Sequence, residues 1–130
     1  MQYKSRPALF HAAVGFGIAL LATAVILLLL PVAFNPYLAL AVWLACINLV
    51  TFAYYGYDKS QAKRGGRRVP EFVLHVFAIA GGSLGAYAAM ATFRHKTIKG
   101  SFRIVYWVIV LVQLGACCLA AYGLWRRATD

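Results

Sequence analysis

Apolar and polar positions alternate along the chain on the length scale of a lipid bilayer. Crossing a hydrocarbon core of about 30 Å takes about 20 apolar residues in a helix. Three runs reach that length without interruption, at 8–33, 37–57 and 104–125. The first two are joined by "PVAFNP", in which Pro31 and Pro36 bracket a tight turn that contains no Lys or Arg. Tyr37, Tyr106, Trp107, Tyr122 and Trp125 stand at or near run ends, where amphipathic rings are expected at the membrane interface.

The fourth run, "PEFVLHVFAIAGGSLGAYAAMATF" at 70–93, is long enough to cross but contains Gly81, Gly82 and Gly85. Pro70 suits the first turn of a helix, and Glu71 complements its positive end. The glycines are compatible with two structures. In a continuous helix, Gly82, Gly85 and Ala89 share a face and let a neighbouring helix approach closely. Alternatively, Gly81 and Gly82 break the run into halves of about ten residues, each about 15 Å long, which reach mid-bilayer and return as a re-entrant hairpin.

Composition sharpens this picture. The 130 residues form one membrane domain, 1–130, with 63% hydrophobic and 12% charged residues and a net charge of +10. A soluble domain is roughly a quarter charged, and a chain this small has no interior in which to hide so much apolar surface. The run after Lys4 and Arg6 exceeds the roughly 7–15 residues of a signal-peptide core, so the first helix is expected to stay as an anchor. The cations cluster beside the apolar runs, as loops facing anionic headgroups do. With a cytoplasmic N-terminus, four full spans put nine Lys and Arg inside and four outside, against eleven and two for the hairpin. That difference is small and continuous helices are the commoner structure. The expected fold is therefore an all-α integral membrane protein, a small bundle of four apolar helices with the third Gly-interrupted; three spans plus a re-entrant hairpin is the alternative.

Polar groups inside an apolar context are the natural functional candidates. Asn48, Thr51, Tyr55, Asp58 and Lys59 share one helical face. They either hydrogen-bond a neighbouring helix and snorkel, or form a polar groove that orients a ligand. Asp58 and Glu71 precede the terminal Asp130 as the other acidic residues, and each is expected to order the basic loop through a salt bridge, with acid–base catalysis as the alternative. Arg94, His95, Lys96, Thr97 and Lys99, with Lys59 and Arg68, combine planar forks, point charges and a hydroxyl, a mix suited to a phosphate or phospholipid headgroup. His11 reads as interfacial, His75 as a packing residue, and Cys46, Cys117 and Cys118 as small packing residues. Their spacings indicate no metal site, and nothing in the chain indicates a cofactor.

Four stretches, "YGYDKSQA" at 55–62, "RRVPE" at 67–71, "GGSLGA" at 81–86 and "RHKTIKGSF" at 94–102, together resemble a bacterial membrane family, domain-of-unknown-function family 1294 (DUF1294). The resemblance runs from about residue 48 to residue 102. It implies a small multi-helix, multi-pass protein of the bacterial inner (plasma) membrane, and the charge distribution adds the expectation of a cytoplasmic N-terminus. It also implies that Tyr55, Asp58, Lys59, Glu71 and the Arg94, His95, Lys96, Thr97 and Lys99 group form one site. Some members carry a cold-shock domain, which this sequence lacks. The expected function is a basic, cytoplasm-side site for an anionic lipid headgroup or phosphate group. The alternatives are a lipid-modifying membrane enzyme and an accessory or structural membrane subunit. Anionic membrane lipids are the expected partners and self-association is left open. Nucleic acid would bind by charge without sequence specificity.

Overall fold

The structure, a computed structural model, describes residues 5–66, 68–93 and 100–130. Its helices are α1 (Ser5–Leu29), α2 (Pro36–Arg64), α3 (Glu71–Phe77), α4 (Ser83–Phe93) and α5 (Gly100–Thr129), with a π turn, Ala78–Gly82, between α3 and α4. By length and composition, four stretches suffice to cross a membrane: Ala8–Leu29, Pro36–Arg64, Glu71–Phe93 and Gly100–Thr129. The chain is an all-α, multi-pass membrane protein.

Local chemistry sets the ends of α2. The Asn35 side chain accepts from the Tyr37 amide at 2.8 Å, and Pro36 fills the first helical position, where a missing N–H costs nothing. Gly65 closes the helix in the left-handed region at φ 69°, a conformation glycine adopts without a Cβ penalty. The helix thus runs seven residues beyond the apolar stretch 37–57, which carries Lys59, Lys63 and Arg64 on helix rather than on loop.

Contacts along α2 decide between the two expected structures of the fourth run. The Val69 amide, just before α3, meets Asp58. Farther along, the Phe77 ring lies 5.0 Å from that of Tyr54, Gly82 abuts Thr51, and Ala80 reaches Trp43. The chain then reverses. Gly85 packs on the backbone of Asn48, and Phe93 lies against Gly56 and, at 5.1 Å, against Phe52. The segment descends from the level of Asp58 to that of Trp43 and climbs back to that of Gly56. A through-helix would have carried Phe93 to the Pro36 end instead. The Gly-interrupted segment is thus the re-entrant hairpin, not a fourth full crossing. Each arm is about 11 residues, or about 16 Å, roughly half the hydrocarbon thickness. Gly81, at φ 117°, supplies the reversal that an L side chain could not adopt without strain.

A helix that ends in mid-bilayer leaves its last carbonyls without partners, and lipid offers none. Here three side chains supply them. Gln113 Nε2 donates to the Ala78 carbonyl at 2.7 Å and the Ile79 carbonyl at 3.3 Å. Trp43 Nε1 donates to Ala80 at 3.1 Å, and Asn48 Nδ2 donates to Gly81 at 3.0 Å. The same Asn48 accepts from the Gly85 amide through Oδ1 at 2.6 Å, so one side chain ties the end of one arm to the start of the other. Tyr106 adds a hydrogen bond to the Ser83 carbonyl at 2.9 Å. Tyr106 had been expected at the interface; it is 3% exposed because α5 runs along the hairpin and turns that ring inward.

The remaining helices enclose this unit. Phe16 of α1 stacks on Trp43, Tyr54 donates to the His11 carbonyl at 3.2 Å, and Gly15 leaves room for the Phe77 ring. In α5, Phe102 lies beside Tyr55 and His75 at the Asp58 end, and Gln113 reaches the hairpin turn. Helices α1, α2 and α5 cross, and the α3–α4 hairpin dips between them from the end that holds Asp58.

This packing makes opposite predictions for two helical glycines. A Cβ at Gly85 would overlap the Asn48 carbonyl, whereas one at Gly17 meets nothing. Gly85→Ala is expected to destabilise the protein by about 1–3 kcal/mol. Gly17→Ala should be neutral or stabilise by up to about 1 kcal/mol. Thermal unfolding in detergent measures both.

Candidate functional site

The row Asn48, Thr51, Tyr55, Asp58 and Lys59 does share a face of α2, and the hairpin occupies that face. Asn48 bonds the hairpin turn. Thr51 donates to its own helix at Ile47 with a length of 2.6 Å, leaving its oxygen against Gly82. Tyr55 and Asp58 are both fully buried. The row is packed, and its open part begins at Lys59.

At the top of the hairpin, Asp58 fixes the α2–α3 connection. Its carboxylate accepts from the Val69 amide at 2.8 Å and from Arg68 Nη2 at 3.0 Å. The carboxylate is 0% exposed and the Arg68 side chain 48% exposed, so the pair reaches from the interior to the surface. A buried carboxylate is tolerated only when it is hydrogen-bonded and paired, and here the groups that satisfy it belong to the loop that must be held. Glu71 lies in the first turn of α3. His75, one turn further on, stacks on Phe102 with ring centroids 4.4 Å apart.

Beside this latch, the ends of α2 and α4 enclose a cleft of about 370 Å³. Lys59, Lys63 and Arg64 line it from α2 with Ser60; Thr92 lines it from α4, and Gly56 and Phe93 form its floor. Positions 56, 59, 60, 63 and 64 recur at helical spacing, which puts all of them on one stripe of α2. The absence of a side chain at Gly56 admits the Phe93 ring, which a Cβ would meet at 3.1 Å. Among the described residues the lining holds three cations and two hydroxyls and no carboxylate. Such a set can donate to an oxyanion from several directions and can neutralise more than one negative charge.

Of the candidates from sequence, Lys59 lines the cleft and Arg68 anchors Asp58. Arg94, His95, Lys96, Thr97 and Lys99 lie outside the described residues. Gly81, Gly82 and Gly85 serve the turn and its close contacts with α2. Gly81, Ser83 and Gly85 also spell Gly-x-Ser-x-Gly, but a nucleophile elbow needs a strand-to-helix turn and helices flank this one on both sides. No group of three or more His, Cys, Asp or Glu gathers among the described residues.

A protein of Bacillus subtilis (strain 168), "Uncharacterized protein YsdA", is 40% identical over 83 residues, which are 64% of this chain and 91% of the relative. Residues 48–102 match the family model described as "Protein of unknown function (DUF1294)". The chain belongs to the DUF1294 family. No solved structure matches it. The DUF1294 region begins at Asn48, the side chain that bridges the hairpin arms, and ends at Phe102, the ring beside Tyr55 and His75. The family match therefore encloses the hairpin, its latch, the cleft and the α2 seat from Asn48 onward, while Trp43, all of α1 and most of α5 lie beyond it.

Sequence reasoning missed Ser60, Lys63 and Arg64, because the apolar run ends at 57 while the helix continues to Arg64, and Thr92, because only the return of α4 brings it beside them. The signal was present in the helical spacing of Gly56, Lys59, Ser60 and Lys63. Gln113 and Trp43 were missed as well, although a Gln inside an apolar run is the kind of polar residue a bilayer makes costly.

The latch yields a graded prediction. Asp58→Ala removes the acceptor for Val69 and the partner of Arg68, and is expected to cost about 1–3 kcal/mol. Asp58→Asn keeps an acceptor for the amide and should cost less. Comparing midpoints of unfolding for the two variants in detergent measures the difference.

Proposed function

We propose that DUF1294 members of this kind bind a phosphate-class anion, either a phospholipid headgroup or a free phosphate, at the Asp58 end of the bundle. The cleft carries this reading: three cations and two hydroxyls converge, with no acid among the described residues that line it, next to a buried carboxylate already engaged by Arg68. Arg64 offers a planar fork and the lysines offer mobile point charges, a combination suited to an oxyanion. In sequence, Arg94, His95, Lys96, Thr97 and Lys99 follow Thr92 and Phe93 directly, and the proposal extends the ligand's contacts to them.

The positive-inside bias supports a cytoplasmic location for this end. Lys59, Lys63, Arg64, Arg68 and Arg103 stand at or near it, against Arg126 and Arg127 at the other end of α5. On this reading the protein sits in a bacterial inner membrane with its N-terminus in the cytoplasm and its C-terminus outside.

Native mass spectrometry of the purified protein, with phosphatidylglycerol or phosphatidylcholine added, tests the proposal. Retention of the anionic lipid, reduced at least about tenfold in a Lys59→Gln, Lys63→Gln, Arg64→Gln variant, is the expected result. Displacement of that lipid by inorganic phosphate would assign the site to phosphate itself. Equal retention by the wild type and the triple variant would overturn the cleft assignment.

A further inference from the structure

The five polar side chains that line the cleft between α2 and α4 are all unengaged. Among the described residues, Lys59, Lys63 and Arg64 form no ion pair, and the Ser60 and Thr92 hydroxyls make no hydrogen bond. The one carboxylate of α2, Asp58, is held by Arg68 and the Val69 amide. Charge balance then separates two kinds of phosphate group. The three cations stand at the end of α2, whose C-terminus carries about half a negative charge. About two and a half positive charges are left to meet a ligand. A phosphodiester brings one negative charge and leaves most of that excess in place. A phosphomonoester brings about 1.5 to 2 and cancels most of it. The donors point the same way. Arg64 offers a two-pronged fork, each lysine an ammonium and each hydroxyl a single O–H. Lys59 and Lys63 lie one turn apart, about 6 Å along the axis, so both long side chains reach one phosphate. Gly56 and the Phe93 ring close the floor, so a ligand enters with its free end first. A monoester presents three terminal oxygens in that direction, whereas a diester has two, its other oxygens being bonded to carbon.

We propose that the ligand of this cleft is a phosphomonoester dianion, bound by Lys59, Lys63 and Arg64 with the Ser60 and Thr92 hydroxyls donating to it. The group is the terminal phosphate either of a lipid, as in phosphatidic acid, or of a small soluble molecule. This rests on the phosphate-class reading of the cleft and narrows it, since phosphodiester headgroups bind the same residues more weakly. The additional charge is worth about fivefold in affinity beside one interfacial cation.

Phosphatidic acid and phosphatidylmethanol differ by one methyl group, one charge and one terminal oxygen, and their competition for the full chain tests the proposal. Native mass spectrometry at about pH 8, where the monoester is fully ionised, reads the ratio retained. Phosphatidic acid should be retained at least about fivefold over phosphatidylmethanol. Lys63→Gln, at an exposed position, should lower that preference, and the Lys59→Gln, Lys63→Gln, Arg64→Gln variant should abolish it. Soluble competitors separate the two sources. Displacement of phosphatidic acid by glycerol 3-phosphate but not by dimethyl phosphate supports a soluble monoester as the ligand, and retention against both supports a lipid. Equal retention of the two lipids, or equal displacement by the two competitors, overturns the monoester preference. If both lipids are nevertheless lost from the triple variant, the phosphate-class reading stands without it. A preference that persists in the single and triple variants overturns the proposal and the cleft assignment together.

Discussion

A helix turn in the middle of a bilayer exposes backbone carbonyls where water is absent, and each one left unpaired costs several kcal/mol. The rest of the structure depends on how that cost is met. Between Ala78 and Gly81 the hairpin presents four successive carbonyls, and Gln113, Trp43 and Asn48 reach them from two different helices. Asn48 contributes most, because its amide binds the descending arm while its oxygen accepts the Gly85 amide in the first turn of the ascending arm. The side chains that satisfy the turn also fasten it to α2 and α5. Satisfying the backbone and assembling the bundle are therefore one event.

The reversal has a consequence at the other end of the hairpin. Because α4 climbs back beside α2, Thr92 and Phe93 arrive next to Gly56, Lys59 and Lys63, and a cleft forms where two helix ends meet. It also brings the start of α5 to the same end, with Phe102 against Tyr55 and His75. A continuous crossing would have separated these groups by the thickness of the membrane. The Asp58 latch holds the entry to the hairpin in place, so a mid-bilayer turn and an interfacial ion pair together define the geometry of the basic surface.

Much of the fold was legible from sequence. Three apolar runs gave three crossings, and Gly81 with Gly82 marked a segment able to break. The choice between breaking and crossing was not legible, because the same glycines serve a close-packed helix and a left-handed turn equally well. The charge distribution favoured the hairpin, but only by two Lys or Arg out of 13. What decides it are long-range bonds from Trp43 and Gln113 to carbonyls that a sequence does not display. The cleft was half legible: the polar row on α2 pointed toward Lys59, but the end of the apolar run hid that the helix continues to Arg64. Tyr106 was misplaced for a related reason, since position near a run end does not say which way a ring faces.

The return of the hairpin is the claim from which the cleft, the latch and the common basic end all follow. It is tested most directly by a distance between spin labels at Ala62→Cys and Thr92→Cys, in a protein whose own cysteines are replaced, reconstituted in lipid and read by pulsed electron resonance. If α4 lies beside the end of α2, as neighbouring helices about 8–10 Å apart require, the labels should be about 20 Å apart. A separation of roughly 35–40 Å, the length of helix between opposite ends of α2, would mean that residue 92 has crossed the membrane and would contradict the account.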